Sequence, residues 1–307
     1  MAKKNKNDSM DSAPKVKLGT ADYIIRGIGY VFISIFAILC ILPFLIILAS
    51  SFETEANIVA KGVTIWPREF TTRAYEMVFK GGTIWKSYGL TIIITVLGTV
   101  IGLFITSMMG YALQRKDFVL KNVLSFFVYF TSLFQAGLAP YYLLMTQTYH
   151  LDNSYLAILL PLLTSSWVII LMKNFVKSIP YEITESGKID GAGDFMIFLK
   201  LILPMLTPAL ATVGLFLALG YWNEWYQDSL FLQQKEVVML QYRLYKIVNE
   251  ASSLKDSVAG QFVDYSDLPS ESLKMATAMM TTGPIIFLYP FVQRYFIGGI
   301  TVGAVKG

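Results

Sequence analysis

Six intervals of the chain carry no Lys, Arg, Asp or Glu over a length that could cross a bilayer: Gly27–Phe52, Ser87–Gln114, Asn122–Leu151, Asn153–Met172, Leu201–Asn223 and Met275–Gln293. A helix needs about 20 mostly apolar residues to traverse roughly 30 Å of hydrocarbon, where backbone polar groups must be satisfied within the helix itself. The pattern therefore predicts an all-α, polytopic membrane protein with six transmembrane helices, at about 27–52, 87–114, 122–149, 153–172, 201–223 and 275–293. Asp152 alone separates the third interval from the fourth, so a tight turn at His150–Ser154 must join two helices there. Between the spans lie a polar tail (1–26), a cytoplasmic loop (174–200), two long outer segments (53–86 and 224–274) and a short tail (298–307).

Helix breakers fall inside or beside several spans: Pro43, Gly137, Pro140, Pro161, Pro204, Pro208, Gly283, Pro284 and Pro290. Proline leaves a backbone carbonyl without its helical partner, and bundles tolerate this where neighbours or a water-filled cavity satisfy the group. Gly98, Gly102 and Gly110 fall on nearby faces of the second span and suit close helix contact. No span holds a charge in its interior. Ion-coupled carriers usually keep such groups as relays, so the energy for transport should enter from elsewhere.

Composition agrees with the pattern. Hydrophobic residues make up 55% of the 307 and charged ones 15%, with mean hydropathy +0.55; soluble domains carry about 25% charged residues. The net charge of +4 comes without a basic cluster and gives no sign of nucleic-acid binding. If both termini are cytoplasmic, 15 of the 25 Lys and Arg residues lie inside and ten outside, as the positive-inside rule favours. The first apolar run is too long for a cleaved signal and reads as a retained span. Cys40 is the only cysteine and reads as a small buried hydrophobe; His150 is the only histidine and reads as a loop residue. No catalytic residue, metal ligand or cofactor site is expected. Gly81-Gly82-Thr83-Ile84-Trp85-Lys86-Ser87 imitates a phosphate loop, but Trp85 stands where glycine must precede the lysine.

The most specific segment is the loop after the fourth span, Lys173–Lys200. Pro180 suits a first helical turn, Glu182 and Glu185 lie near its positive end, Ile183, Ser186 and Gly187 form a small-residue face, and Gly191 allows a reversal. Glu185-Ser186-Gly187-x-x-Asp190-Gly191-Ala192, with Pro204 twelve residues after Ala192, resembles the EAA loop of binding-protein-dependent ABC permeases. Ser186 and Gly187 replace the usual Ala-Ala, and Leu201 replaces Ile in the later Ile-x-Leu-Pro. Tyr111-Ala112-Leu113, Gly137-Leu138-Ala139-Pro140, Trp222-Asn223-Glu224-Trp225 and the tail Gly298–Gly307 extend the similarity to the carbohydrate-uptake branch, in particular to its maltose-type six-span subunit.

That resemblance implies a type I importer fold in a bacterial cytoplasmic membrane and no enzymatic activity in this chain. The implied partners are a second permease subunit, two cytoplasmic ATPase subunits that hydrolyse ATP, an extracytoplasmic solute-binding protein and a sugar, and the order of the segments with the long last outer loop resembles the subgroup that imports oligosaccharides. Glu185 would pair with a basic residue of the ATPase, Ser186 and Gly187 would make the close contact, and Asp190, Gly191, Ala192 and Pro204 complete the coupling motif. Thr301, Gly303 and Lys306 belong to a small flexible tail reaching between the ATPases. Gln135, Trp222, Asn223, Trp225 and Tyr226 are candidates for the substrate path, although Trp and Tyr also belong at membrane interfaces. A permease for an amino acid, peptide or phosphate stays open as an alternative, and a secondary carrier more remotely.

Overall fold

The computed structural model describes residues 19–80, 82–256 and 270–304. The first 18 residues of the predicted tail, the stretch 257–269 of the outer loop and Lys306 therefore lie outside the described residues. The chain is helical almost throughout: α1 (Thr20–Ser51), α2 (Glu55–Lys61), α3 (Arg73–Phe79), α4 (Thr83–Gln114), α5 (Lys121–Leu133), α6 (Leu138–Leu143), α7 (Leu156–Leu163), α8 (Ser166–Lys177), α9 (Glu182–Ile189), α10 (Asp194–Ile197), α11 (Leu203–Met205), α12 (Thr207–Trp222), α13 (Tyr226–Phe231), α14 (Leu240–Asp256) and α15 (Glu271–Ala304). Wider π turns, Leu144–Thr148 and Phe198–Ile202, continue α6 and join α10 to α11.

Among the described residues, α1, α4 and the α7–α8 run Leu156–Lys177 are each long and apolar enough to cross a membrane, and two bent pairs bring that number up to five. Helix α15 covers the sixth predicted interval as one 34-residue helix. The bends depart from the predicted straight spans. Lys121–Leu133 and Leu138–Thr148 meet at 116°, across the break Phe134–Gly137 where Gly137 has φ 89°. Asp194–Met205 and Thr207–Phe231 meet at 85°, at Leu206 between Pro204 and Pro208. The His150–Ser154 turn is present, with His150 and Asn153 at positive φ and the Asn153 N–H donating to the Phe231 carbonyl at 2.8 Å.

Helix α4 lies at the centre, packed along α12, α8 and α7. Its buried face is built of small or polar residues (Ser87, Thr91, Gly98, Gly102, Thr106, Ser107, Gly110). Without a hydrophobic driving force between helices in lipid, such a face allows close approach and dispersion contact instead. A Cβ on Gly98 would stand 2.2–2.7 Å from the ring of Tyr221, and one on Gly110 would stand 2.8 Å from Met172 and 3.1–3.2 Å from backbone. Tyr221 is fully buried and donates its hydroxyl hydrogen to the Leu159 carbonyl at 2.7 Å, so one side chain ties α12 to α4 and α7.

Helix α1 differs. It packs along α15, and its apolar side chains from Tyr23 to Leu45 are mostly exposed, a surface suited to lipid tails or a partner helix. Cys40 is on this helix and exposed, not buried as its apolar surroundings led one to expect; a helix apolar on every side gives no sequence cue to its inner face.

Candidate functional site

The coupling-loop residues fold as a compact bracket at the end of α4. Pro180 precedes the helix instead of entering its first turn, and α9 begins at Glu182. Its end is a complete αL closure: Ala192 N–H donates to the Gly187 carbonyl and Gly191 N–H to the Lys188 carbonyl, both at 3.0 Å, with Gly191 at φ 78°. These are the paired bonds of a Schellman motif, which explains why Asp190-Gly191-Ala192 follows the helix in this order. Pro204 lies 12 residues on, in α11, where Thr207 Oγ1 donates to its carbonyl at 2.7 Å. That carbonyl is the one Pro208 leaves without a helical donor.

The two faces of α9 have different surroundings. Thr184 and Gly187 are buried, and a Cβ on Gly187 would meet Ile197 and Leu201 at 3.0 Å. Gly187 therefore seats the helix on its own chain and does not form the outer contact assigned to it from sequence. Glu182, Glu185, Ser186 and Ile189 are exposed, Ile189 to 85%. The outer face of α9 thus carries an isoleucine together with two carboxylates and a hydroxyl, none of them packed into the bundle.

A charge network holds this bracket to the turn after α4. Arg115 Nε donates to Asp117 Oδ1 at 2.9 Å, a second Arg115 nitrogen reaches Asp117 Oδ2, and Arg115 Nη1 meets Asp194 Oδ1 at 2.6 Å. Lys188 of α9 completes it through Asp117, and the Lys116 ammonium sits 4.3 Å from the Tyr181 ring centre. Arg115 and Lys188 hold the Asp117 carboxyl well below the usual carboxylate range. A cleft of about 440 Å³ opens beside the network, lined among others by Tyr111, Arg115, Lys177, Tyr181 and Glu182.

At the opposite end of α4, two carboxylates organise the other large segment. Glu53 is fully buried and accepts the N–H groups of Arg68 (2.6 Å), Glu69 and Thr54 (both 3.1 Å) and the Asn57 amide. Burial pushes its pKa up, but these donors outweigh it and leave the carboxyl below its ordinary range. Glu55 accepts the N–H groups of Glu271 and Ser272 at 3.0 Å, capping the positive end of α15. Sequence reading missed both, because the capped segments are 15 to more than 200 residues away. Within the second outer segment, α14 begins at Leu240, and Val238, Met239, Leu240 and Leu244 are buried.

The substrate-path candidates separate. Gln135 lies exposed in the break between α5 and α6. Trp222 turns inward and donates its indole N–H to the Thr281 carbonyl at 3.0 Å, a structural bond in place of the free stacking face considered from sequence. Asn223 caps α12 and accepts from the Gln241 amide at 3.2 Å. Trp225 and Tyr226 are half exposed, with ring centres 5.9 Å apart. Thr301 and Gly303 are helical, at the end of α15, so the described part of the tail continues the helix instead of fraying into a flexible peptide.

Comparison with known proteins gives a consistent picture. Residues 98–302 match the family described as binding-protein-dependent transport system inner membrane component. The chain is 37% identical to the polygalacturonan/rhamnogalacturonan transport system permease protein YtcP of Bacillus subtilis (strain 168), over 91% of this chain and 96% of that protein. It is 28% identical to the arabinooligosaccharides transport system permease protein AraQ of Halalkalibacterium halodurans, over 91% and 95%. Among solved structures, it resembles a chain of a bacterial ABC transporter involved in the import of the acidic polysaccharide alginate, with TM-score 0.76, 29% identity, and coverage of 92% of this chain and 99% of that one.

Proposed function

This chain belongs to the binding-protein-dependent transport system inner membrane components, and from that premise we propose that it is the permease subunit of an ATP-driven importer of oligosaccharides or polysaccharide fragments. Names of its relatives support a saccharide cargo over an amino acid, peptide or phosphate. The observation that carries the coupling role is the two-faced helix α9, seated inward by Gly187 and presenting Glu185, Ser186 and Ile189 outward.

In this reading the exposed face of α9 docks on a separate ATPase subunit, with Glu185 meeting a basic residue there. A second permease subunit completes the pore, a solute-binding protein docks on the end built from α2, α3, α13 and α14, and both termini are cytoplasmic. ATP is hydrolysed by the partner. Closure of two ATPase subunits moves α9, and the bundle opens alternately to each side.

Two measurements test this. Affinity purification of the tagged chain from membranes should recover an ATPase subunit and a second permease. Glu185→Lys should abolish uptake while the chain still inserts and accumulates in the membrane. Wild-type uptake in that variant, or solute accumulation by vesicles holding this polypeptide alone, overturns the reading.

A further inference from the structure

A groove of about 370 Å³ runs between α14 and the first turns of α15, on the side of α4 away from the coupling bracket. Its volume lies in the range of about 300–1,000 Å³ usual for ligand sites. Two aromatic rings form one wall. Trp225 and Tyr245 have ring centres 5.0 Å apart at 34°, and Tyr242 continues the row at 6.4 Å from Tyr245. Trp225 and Tyr245 are 41% and 47% exposed. Polar groups line the rest of it: on α14, Gln241, which lies one turn before Tyr245 and whose amide donates to Asn223; and on α15, Thr277, whose hydroxyl donates to the Lys274 carbonyl, and Lys274 itself, paired with Glu271 at 2.8 Å.

An aromatic face bordered by hydroxyl, amide and ammonium groups matches the two kinds of surface of a pyranose ring. The C–H face of the sugar lies on the π-surface, and its equatorial hydroxyls meet donors and acceptors at the edge. The floor of the groove is Thr281, whose carbonyl holds the Trp222 indole. Trp222 in turn lines a second, apolar cavity of about 400 Å³ beside Thr95, Thr99 and Pro284. The Trp222–Thr281 hydrogen bond therefore stands between the two spaces.

Building on the proposed saccharide import, we infer that this groove is a sugar subsite on the permease itself, where Trp225 and Tyr245 stack one pyranose ring of the incoming chain before it passes Trp222. Lys274 is already neutralised by Glu271, so the subsite takes the ring through stacking and hydrogen bonds more than through charge. Neutral and acidic sugars should both use it.

The test uses proteoliposomes holding the assembled importer, offered labelled trigalacturonate and, separately, labelled raffinose. Trp225→Leu, which keeps apolar bulk but loses the π-face, should lower uptake of an imported probe about five- to tenfold, and Trp225→Tyr should recover most of it. Tyr245→Leu should fall with Trp225→Leu, and Tyr245→Phe should not. Equal uptake by the Leu and Tyr variants at position 225, or wild-type uptake with Trp225→Leu, overturns the subsite and leaves the importer reading intact. Wild-type importer that carries neither probe nor any other saccharide overturns both. A drop confined to trigalacturonate would point to Lys274 charge recognition and overturn the stacking assignment.

Discussion

The hydroxyl of Tyr88, on α4, donates to the carbonyl of Met280, on α15, at 2.9 Å. In an α-helix that carbonyl would accept from the N–H four residues on, which here is Pro284 and has none. Trp222 takes the next carbonyl, that of Thr281. Two side chains from two helices thus bond to carbonyls of a third just before its proline.

Tyr88→Phe should leave the Met280 carbonyl unsatisfied and cost about 1–2 kcal/mol. Pro284→Ala restores the missing N–H, so the same Tyr88→Phe change made in that background should cost much less. Thermal unfolding of the four purified forms in detergent closes the double-mutant cycle. A cost for Tyr88→Phe that is the same in both backgrounds would refute the pairing.

Gly98 and Tyr221 form a second coupled pair. A methyl group at position 98 would overlap the Tyr221 ring, with three ring atoms inside 2.7 Å. Gly98→Ala should destabilise by about 1–3 kcal/mol. Tyr221→Leu, although itself harmful because it also loses the Leu159 bond, should make the alanine at 98 nearly neutral. Expression level and unfolding temperature of the single and double variants give the comparison.

The Asp117 network predicts a definite pH response. Its carboxyl is held low in the folded chain, so it stabilises above the unfolded value of about 3.9 and loses that contribution as pH falls through the lower folded value. Asp117→Asn should therefore lower stability at neutral pH, by at most about 1 kcal/mol because the side chain is 38% exposed and screened. The gap between wild type and variant should begin to narrow only as pH falls below about 4, and should close further toward the lower folded value. Unfolding midpoints measured from pH 7 down to acid would show this, and a gap that widens on acidification would contradict it.

Gly187→Leu tests the inner face of α9. Its side chain has no room against Ile197 and Leu201, so α9 must lift from its seat. Uptake should fall at least tenfold with the exposed residues Glu185 and Ser186 unchanged, and Gly187→Ala should show a much smaller loss. Transport assays on equal amounts of inserted protein decide between them.

Much of this architecture was legible in the sequence. Charge-free intervals marked the long apolar helices because burying a charge in hydrocarbon is costly, and Glu185, Asp190, Gly191 and Pro204 carried the resemblance to the permease family. Glycines at 98, 102 and 110 indicated the close-packed face of α4. The sequence did not disclose where the chain bends or which way side chains turn. Gly137 and the prolines at 204 and 208 marked breakers, but bends of 116° and 85° depend on neighbours that no local pattern encodes. The resemblance assigned Gly187 to the contact with a partner, whereas Ile197 and Leu201 of its own chain stand behind it, which no local pattern encodes. Trp222 and Cys40 were misread for the same reason: in an almost wholly apolar segment, hydropathy does not distinguish inward from outward. The caps by Glu53 and Glu55 join segments distant in the chain.

The tie between Lys188, Asp117 and Arg115 has a mechanical consequence. A push delivered to α9 is not absorbed by a slack loop, because the same ion pairs hold the end of α4, and α4 is in close contact with α12, α7 and α8 at Gly98, Gly102 and Gly110. That block must travel stiffly. Deformation is then left to the two joints where the backbone already bends, Phe134–Gly137 and Leu206, and freezing either with a cross-link should stall the transport cycle while leaving the load-bearing block intact.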